Sequence, residues 1–435
     1  MRTLILAFAA LAGAACARSS DPLEYVDPFI GTGFHGHTYP GAATPFGMVQ
    51  LSPDTRADDW DACAGYHYDD TTIDGFSHTH LSGTGCADLA DILFHPTTRT
   101  EVVRDGEYLP QPYAFSHDRE RASCGYYAVE LPEEGLAVEL TAAPRTGVHR
   151  YAFRGAGPRR VVIDLMHTIT DEKIDLRELR QTAPDEIAGM RRTQGWVSDH
   201  YVFFSARFSE PFADVQLLGD RQAVLTFAPD LKTLTVAVGL SSVSAENARE
   251  NRIAEVPELD FDAVRSRAEA LWRDALGDIV VEGGTRGERI NFYTAQYHAK
   301  LTPNLMSDVN GEYRRSDRTI ARVLAVGYLP GVASAANPRR YGACERHDRQ
   351  PARHVRRDGR TARLAPRFGR DRHDDRLSRR VGHSRRLFEG HPRLRRREGA
   401  RCDDPLVEYQ QEGFGILCGT GLHPVERLLR IGLLR

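Results

Sequence analysis

The residues able to do chemistry crowd into one stretch, 25–96. It holds Phe34-His35-Gly36-His37-Thr38-Tyr39-Pro40-Gly41-Ala42, Trp60-Asp61-Ala62-Cys63-Ala64-Gly65-Tyr66-His67-Tyr68 and Gly75-Phe76-Ser77-His78-Thr79-His80-Leu81-Ser82-Gly83-Thr84-Gly85. Imidazoles and hydroxyls bond the hydroxyl edge of a sugar, and aromatic faces stack on its C–H face. The glycines allow positive φ and close backbone approach. The set therefore suits carbohydrate recognition. His35/His37 and His78/His80 are i, i+2 pairs. On a strand such a pair points one way and suits a metal. Neither has a third ligand in view, and buried, hydrogen-bonded imidazoles are the competing reading. Gly31, Gly33 and Gly36 spell G-x-G-x-x-G. The context argues against a nucleotide, because Tyr39-Pro40-Gly41 stands where a helix would have to open.

Strands must carry these loops. Runs rich in β-branched and aromatic residues recur at 126–131, 136–140, 160–165, 201–206, 223–227 and 234–238, bounded by turn formers. Such a series predicts an antiparallel sandwich. The period then changes. Ser244 is placed to cap a helix over 244–253, and Asp260 to cap another with Phe261, Val264, Ala268, Leu271, Trp272 and Leu276 on one face. That face makes Trp272 a core residue. A strand is expected at 278–281, then a helix over about 287–301 carrying Ile290, Tyr293, Tyr297 and Leu301. Asn310-Gly311 reads as a turn.

With 435 residues, 41% hydrophobic and 27% charged, two or three domains fit, and a multi-span membrane protein does not. The net charge of −3 gives no global pull toward nucleic acid. Met1-Arg2, an apolar run from Leu4 to Ala15 and Ala15-Cys16-Ala17 read as an export signal over 1–17. Gly13-Ala14-Ala15-Cys16 is also an imperfect lipoprotein signal, which leaves a lipid anchor on Cys16 open. There are 7 Cys and no C-x-x-C, so a cysteine zinc site is not supported. A Cys63–Cys86 disulfide and buried free thiols both stand. Residues 339–401 hold 22 Arg against 8 Asp plus Glu, with only 8 Leu, Ile, Val or Phe in 63 positions. That is too few to bury a core. A reading-frame error in GC-rich DNA explains this text best; natural disorder and a basic nucleic-acid arm are the alternatives.

The motifs resemble those of glycoside hydrolase family 92, the calcium-dependent exo-acting α-mannosidases. The resemblance rests on Tyr25-Val26-Asp27-Pro28-Phe29-Ile30-Gly31-Thr32-Gly33, Thr38-Tyr39-Pro40-Gly41-Ala42, residues 45–54, 60–68 and 75–85, and Thr146-Gly147-Val148-His149-Arg150-Tyr151. It continues through Phe292-Tyr293-Thr294-Ala295 and residues 303–315, and covers about 24–322. It implies a mainly β chain: an N-terminal antiparallel β-sandwich (22–243), a helical linker (244–285) and the start of an (α/α)6 barrel (286–322) that is not completed. A disordered or out-of-frame tail (323–435) follows. It implies an active site between the two domains, to which the sandwich contributes substrate-binding Phe34, His35 and Trp60. The acid and base of an inverting mechanism, and most ligands of the implied Ca2+, would come from the barrel. No catalytic carboxylate maps onto a numbered position. The expectation is an exported protein directed at glycans with terminal mannose, with little or no hydrolytic activity in this chain. The alternative is a non-catalytic carbohydrate-binding module.

Overall fold

Alternation of apolar and polar residues builds two antiparallel sheets that face one another. The computed structural model describes residues 21–56, 60–169 and 172–322. The expected export signal, the Cys16 anchor and the tail over 323–435 lie outside the described residues. One sheet has seven strands, in the order Ala42–Ala43, Gln50–Asp54, Gly75–Ser77, Leu93–Thr97, Arg159–Asp164, Gln222–Phe227, Asp214–Leu218. The other has eight: Lys173–Ala183, Glu186–Gln194, His200–Phe208, Thr233–Ser241, Thr146–Phe153, Leu136–Ala142, Tyr126–Leu131, Glu120–Ser123. Every second residue points inward. Val129 and Leu131, Val138 and Leu140, Phe204 and Phe208, and Val236 and Val238 meet Leu51, Phe76, Phe94, Val161, Ile163 and Leu225 in one core.

The six strands expected from the sequence all form. Two long ones, Lys173–Ala183 and Glu186–Gln194, give no such signal. The first is an edge strand with five charged residues, mostly exposed, so burial leaves no apolar pattern on it. The strand expected at 278–281 does not form. Among the described residues no partner strand reaches it; Val281 N donates to the Tyr293 hydroxyl (3.4 Å), and Ile279 O accepts from Gln296 Nε2 (3.1 Å). Both partners belong to the following helix.

Among the described residues three helices follow the sheets: α1 (Ala245–Glu255), α2 (Phe261–Leu276) and α3 (Arg286–Ala299). The first two caps are those the sequence indicates. Ser244 Oγ accepts from Asn247 N (3.0 Å), and Asp260 Oδ1 from Ala263 N (3.0 Å). A capping box of Thr285 and Glu288 opens α3. Helix α1 lies against the strand Thr233–Ser241, where a Cβ on Gly239 would stand 2.1 Å from Ala248 O. Its buried face is polar: Asn251 donates to Leu240 O (2.7 Å), and Arg252 pairs with Glu186 (2.7 Å).

Helices α2 and α3 share a second cluster with the N-terminal turn. Trp272, fully buried, packs on Tyr297 (4.5 Å between centroids), and Tyr293 stacks on Tyr25 (5.7 Å). Trp272 Nε1 donates to Ala43 O (2.7 Å) in the edge strand of the seven-stranded sheet. One side chain thus ties helix to sandwich by packing and by a buried hydrogen bond. Beyond α3, Asp308 accepts from Ser241 Oγ (2.7 Å), Asn247 Nδ2 (2.8 Å) and Asn251 Nδ2 (2.7 Å), which docks the segment on α1. The expected Asn310-Gly311 turn is present, with Gly311 at φ +85°. Trp272→Ala is expected to cost about 3–5 kcal/mol, the range for deleting a buried aromatic. A chemical denaturation midpoint would read the loss.

Candidate functional site

The three residues expected at a ligand-binding wall share one exposed patch. Phe34 is 76% exposed and Trp60 55%. The Phe34 and His35 rings lie 4.0 Å apart, and His35 and Trp60 5.3 Å. His37, buried beneath, meets the Trp60 ring edge-on at 4.3 Å. His35 Nδ1 stands 2.5 Å from Asp61 Oδ1. Trp60 Nε1 donates to Gly85 O (2.8 Å), which fixes the indole in its exposed position. His35 and His37 do converge, but not by strand alternation. They sit in a turn where Phe34 (φ +52°) and His37 (φ +54°) both take the left-handed conformation. Sequence reasoning missed Asp61 as their neighbour. It lies 26 residues from His35, and only the fold brings it near.

Two loops are laced together to hold this patch. Tyr68 N donates to Thr32 O (3.0 Å), and His67 Nε2 to Phe34 O (3.2 Å). Gly83 N donates to His37 O (2.6 Å). A Cβ on Gly36 would fall 2.1 Å from Gly31 O, so only glycine closes the turn. The second loop sits directly on a buried carboxylate. A Cβ on Gly65 (φ +85°) would fall 2.4 Å from Asp54 Oδ1.

Asp54 is one of two buried acidic hubs. His80 Nε2 lies 2.7 Å from its Oδ1, and His167 Nε2 forms an ion-pair contact at 3.0 Å with Oδ2, without hydrogen-bond alignment. Asp91 is the other. It receives Arg191 Nε (2.5 Å), His200 Nε2 (2.9 Å) and Thr79 Oγ1 (2.6 Å). Burial alone would raise both carboxyls. His80 and His167 at Asp54, and Arg191 and His200 at Asp91, outweigh it and hold both well below the usual range. Conversely, burial would lower His167 and His200, but the carboxylates outweigh it and raise both. Glu172, with both carboxylate oxygens buried and unpartnered beside Asp88, is pushed up to about 7, first by burial and then by that charge.

The second His pair is structural. His78 Nδ1 bonds Ile92 O (2.7 Å), and its Nε2 meets His149 Nε2 (3.0 Å). Burial pushes His78 down to about 4. His80 Nδ1 bonds Gln50 O (2.8 Å). Cys63, Cys86 and Cys124 are free thiols.

Comparison with known proteins agrees with this architecture. Residues 25–245 match the glycosyl hydrolase family 92 N-terminal domain, and residues 247–329 match the family 92 catalytic domain. The chain belongs to glycosyl hydrolase family 92. It is similar to a family 92 α-mannosidase from Bacteroides thetaiotaomicron solved with mannoimidazole, at 33% identity and a TM-score of 0.65. That match covers 70% of this chain and 43% of the mannosidase. A family 92 inverting mannosidase from the same organism is 25% identical, with a TM-score of 0.56, over 69% of this chain and 41% of that one. An uncharacterized secreted glycosidase of Arthroderma benhamiae is 25% identical over 333 residues, 67% of this chain and 42% of the relative. The chain thus spans less than half the length of these relatives.

The two hubs make stability depend on pH in both directions. The depressed Asp54 and Asp91 contribute above the ordinary carboxylate value, about pH 4, and that contribution is lost as pH falls through their folded values. The raised His167 and His200 contribute fully below about pH 6.5, and lose it as pH rises through theirs. Glu172 acts on the same side, because its folded carboxyl keeps a proton that the unfolded one releases. Burial lowers His78, His95 and His149, so their contribution is lost as pH falls below about 6.5. Melting temperature is therefore expected to peak between about pH 6 and 6.5 and decline on both sides. Glu172→Gln should recover part of the loss at pH 8, by about 1 kcal/mol once partial solvation is discounted, and none at pH 4. A pH series of thermal melts on both proteins checks this.

Proposed function

We propose that this chain is the sandwich-side half of an exported glycosidase of the α-mannosidase kind. Phe34, His35 and Trp60 would form one wall of its pocket for a terminal α-mannose. The observation that carries the reading is the exposed cluster itself. It offers two aromatic faces and an imidazole on a rim whose polar backbone is already bonded within the loops. A hexose has one apolar face and several hydroxyls, and such a wall takes both. The similarity to a mannosidase solved with mannoimidazole supports mannose as the sugar. Likeness to a secreted glycosidase supports export.

The division proposed is a sandwich over 22–243, a helical linker over 244–285 and the opening of the helical catalytic domain over 286–322. Inversion needs an acid and a base carboxyl about 6.5–9.5 Å apart. In this reading both belong to the helical wall, as does calcium. Calcium takes six to eight oxygen ligands. The patch, with two imidazoles and one carboxylate in reach, does not fit it. The 435-residue chain is accordingly proposed to bind mannosides without turning them over.

The test is calorimetric binding of mannoimidazole to the purified full chain, alongside hydrolysis of an aryl α-mannoside with calcium. Trp60→Ala is expected to weaken binding roughly 5-fold, since an aromatic contact contributes about 1 kcal/mol. Unchanged affinity would remove the wall from the site. Robust calcium-dependent turnover would overturn the proposed lack of activity.

A further inference from the structure

We propose that His35, His37 and Asp61 form a site for a divalent transition-metal ion of the Zn2+ class, clipping the 31–38 loop to the turn Trp60–Ala62. The sequence supplied two imidazoles at i, i+2 and no third ligand; the fold supplies it. One ligand atom from each residue lies within 4.8 Å of the other two. In a tetrahedral site with bonds of about 2.0–2.1 Å, ligand atoms stand about 3.3 Å apart. The His35–Asp61 pair, now at 2.5 Å, would open slightly to admit an ion, and His37 would close on it. Among the described residues this is the one His, Cys, Asp or Glu cluster with such spacing.

A second observation points the same way. His37 is 93% buried by its 7% exposure, and among the described residues its Nε2 has no hydrogen-bond partner. A buried polar nitrogen is normally paired. An ion would satisfy it. The other two ligands are more open: His35 is exposed and Asp61 half-buried, so an ion can enter from solvent and keep an open coordination position. Two imidazoles with one carboxylate suit Zn2+, Co2+ or Ni2+, whereas Ca2+ prefers an all-oxygen cage. The site is therefore a different one from the calcium that the family resemblance implies. It does not rest on the glycan reading.

The experiment uses the purified full-length chain, stripped with a chelator and titrated with Co2+. Binding is expected to produce the intense visible bands of a low-coordinate cobalt centre, together with quenching of Trp60, and Zn2+ should reverse both. Millimolar Ca2+ should not. His35→Gln, at an exposed position, and Asp61→Asn should each weaken Co2+ binding by about 100-fold, at or beyond the loss of an outer-shell partner. Far-UV circular dichroism verifies that both variants are folded. The proposal is overturned if the cobalt spectrum stays that of the aqueous ion. Unaltered affinity in folded His35→Gln and Asp61→Asn, or displacement of Co2+ by Ca2+, would overturn it equally.

Discussion

A carboxylate taken out of water persists only where opposite charge and donors replace its hydration. Asp91 is fully buried, and the groups that compensate it come from separate segments. Arg191 and His200 reach it from two strands of the eight-stranded sheet, and Thr79 from a loop beside the other sheet. Arg191 also donates to Leu89 O (3.0 Å) and to His167 O. One guanidinium therefore gathers the rim of the sandwich. The backbone bends to allow it: Leu89, Ala90 and Ile92 all have positive φ, a cost that persists only where the surroundings enforce it. Removing one partner would strand a buried charge, so the cluster acts as a unit.

Asp54 repeats the device closer to the patch. Its neighbours His80 and His167 come from either side, and Gly65 lies against its Oδ1 with no room for a Cβ. The loop bearing Trp60 and Asp61 is thereby seated on the buried hub. From there the order of causes is direct. The hub places Gly65, the laced backbones place the two loops, and the loops place Phe34, His35 and Trp60. The aromatic patch is exposed, yet its geometry is set by groups that never meet solvent.

Much of this was legible in the residues. Six strands announced themselves by β-branched runs, α1 and α2 by their caps, and α2 and α3 by apolar spacing. The spread of Phe34, His35 and Trp60 across two loops was visible through motif resemblance. What escaped notice had physical reasons. Lys173–Ala183 buries almost nothing, so it carries no apolar alternation. The 278–281 segment has the composition of a strand, but helix side chains take its backbone groups. Asp61 looked like one acidic residue among many, and its pairing with His35 depends on loops held by Asp54. Arg191, in a run of ordinary polar letters, gave no hint that it is fully buried.

The charged strand Lys173–Ala183 has a further consequence. As the outermost strand of the larger sheet, it presents a row of main-chain groups to which a strand from another molecule could add. Lys173, Asp175, Arg177, Glu178 and Arg180 line that border, with Arg177 facing Asp220 and Arg180 facing Glu246. A newcomer would have to strip these groups of their hydration and meet like charges. A border of this kind opposes the addition of a further strand.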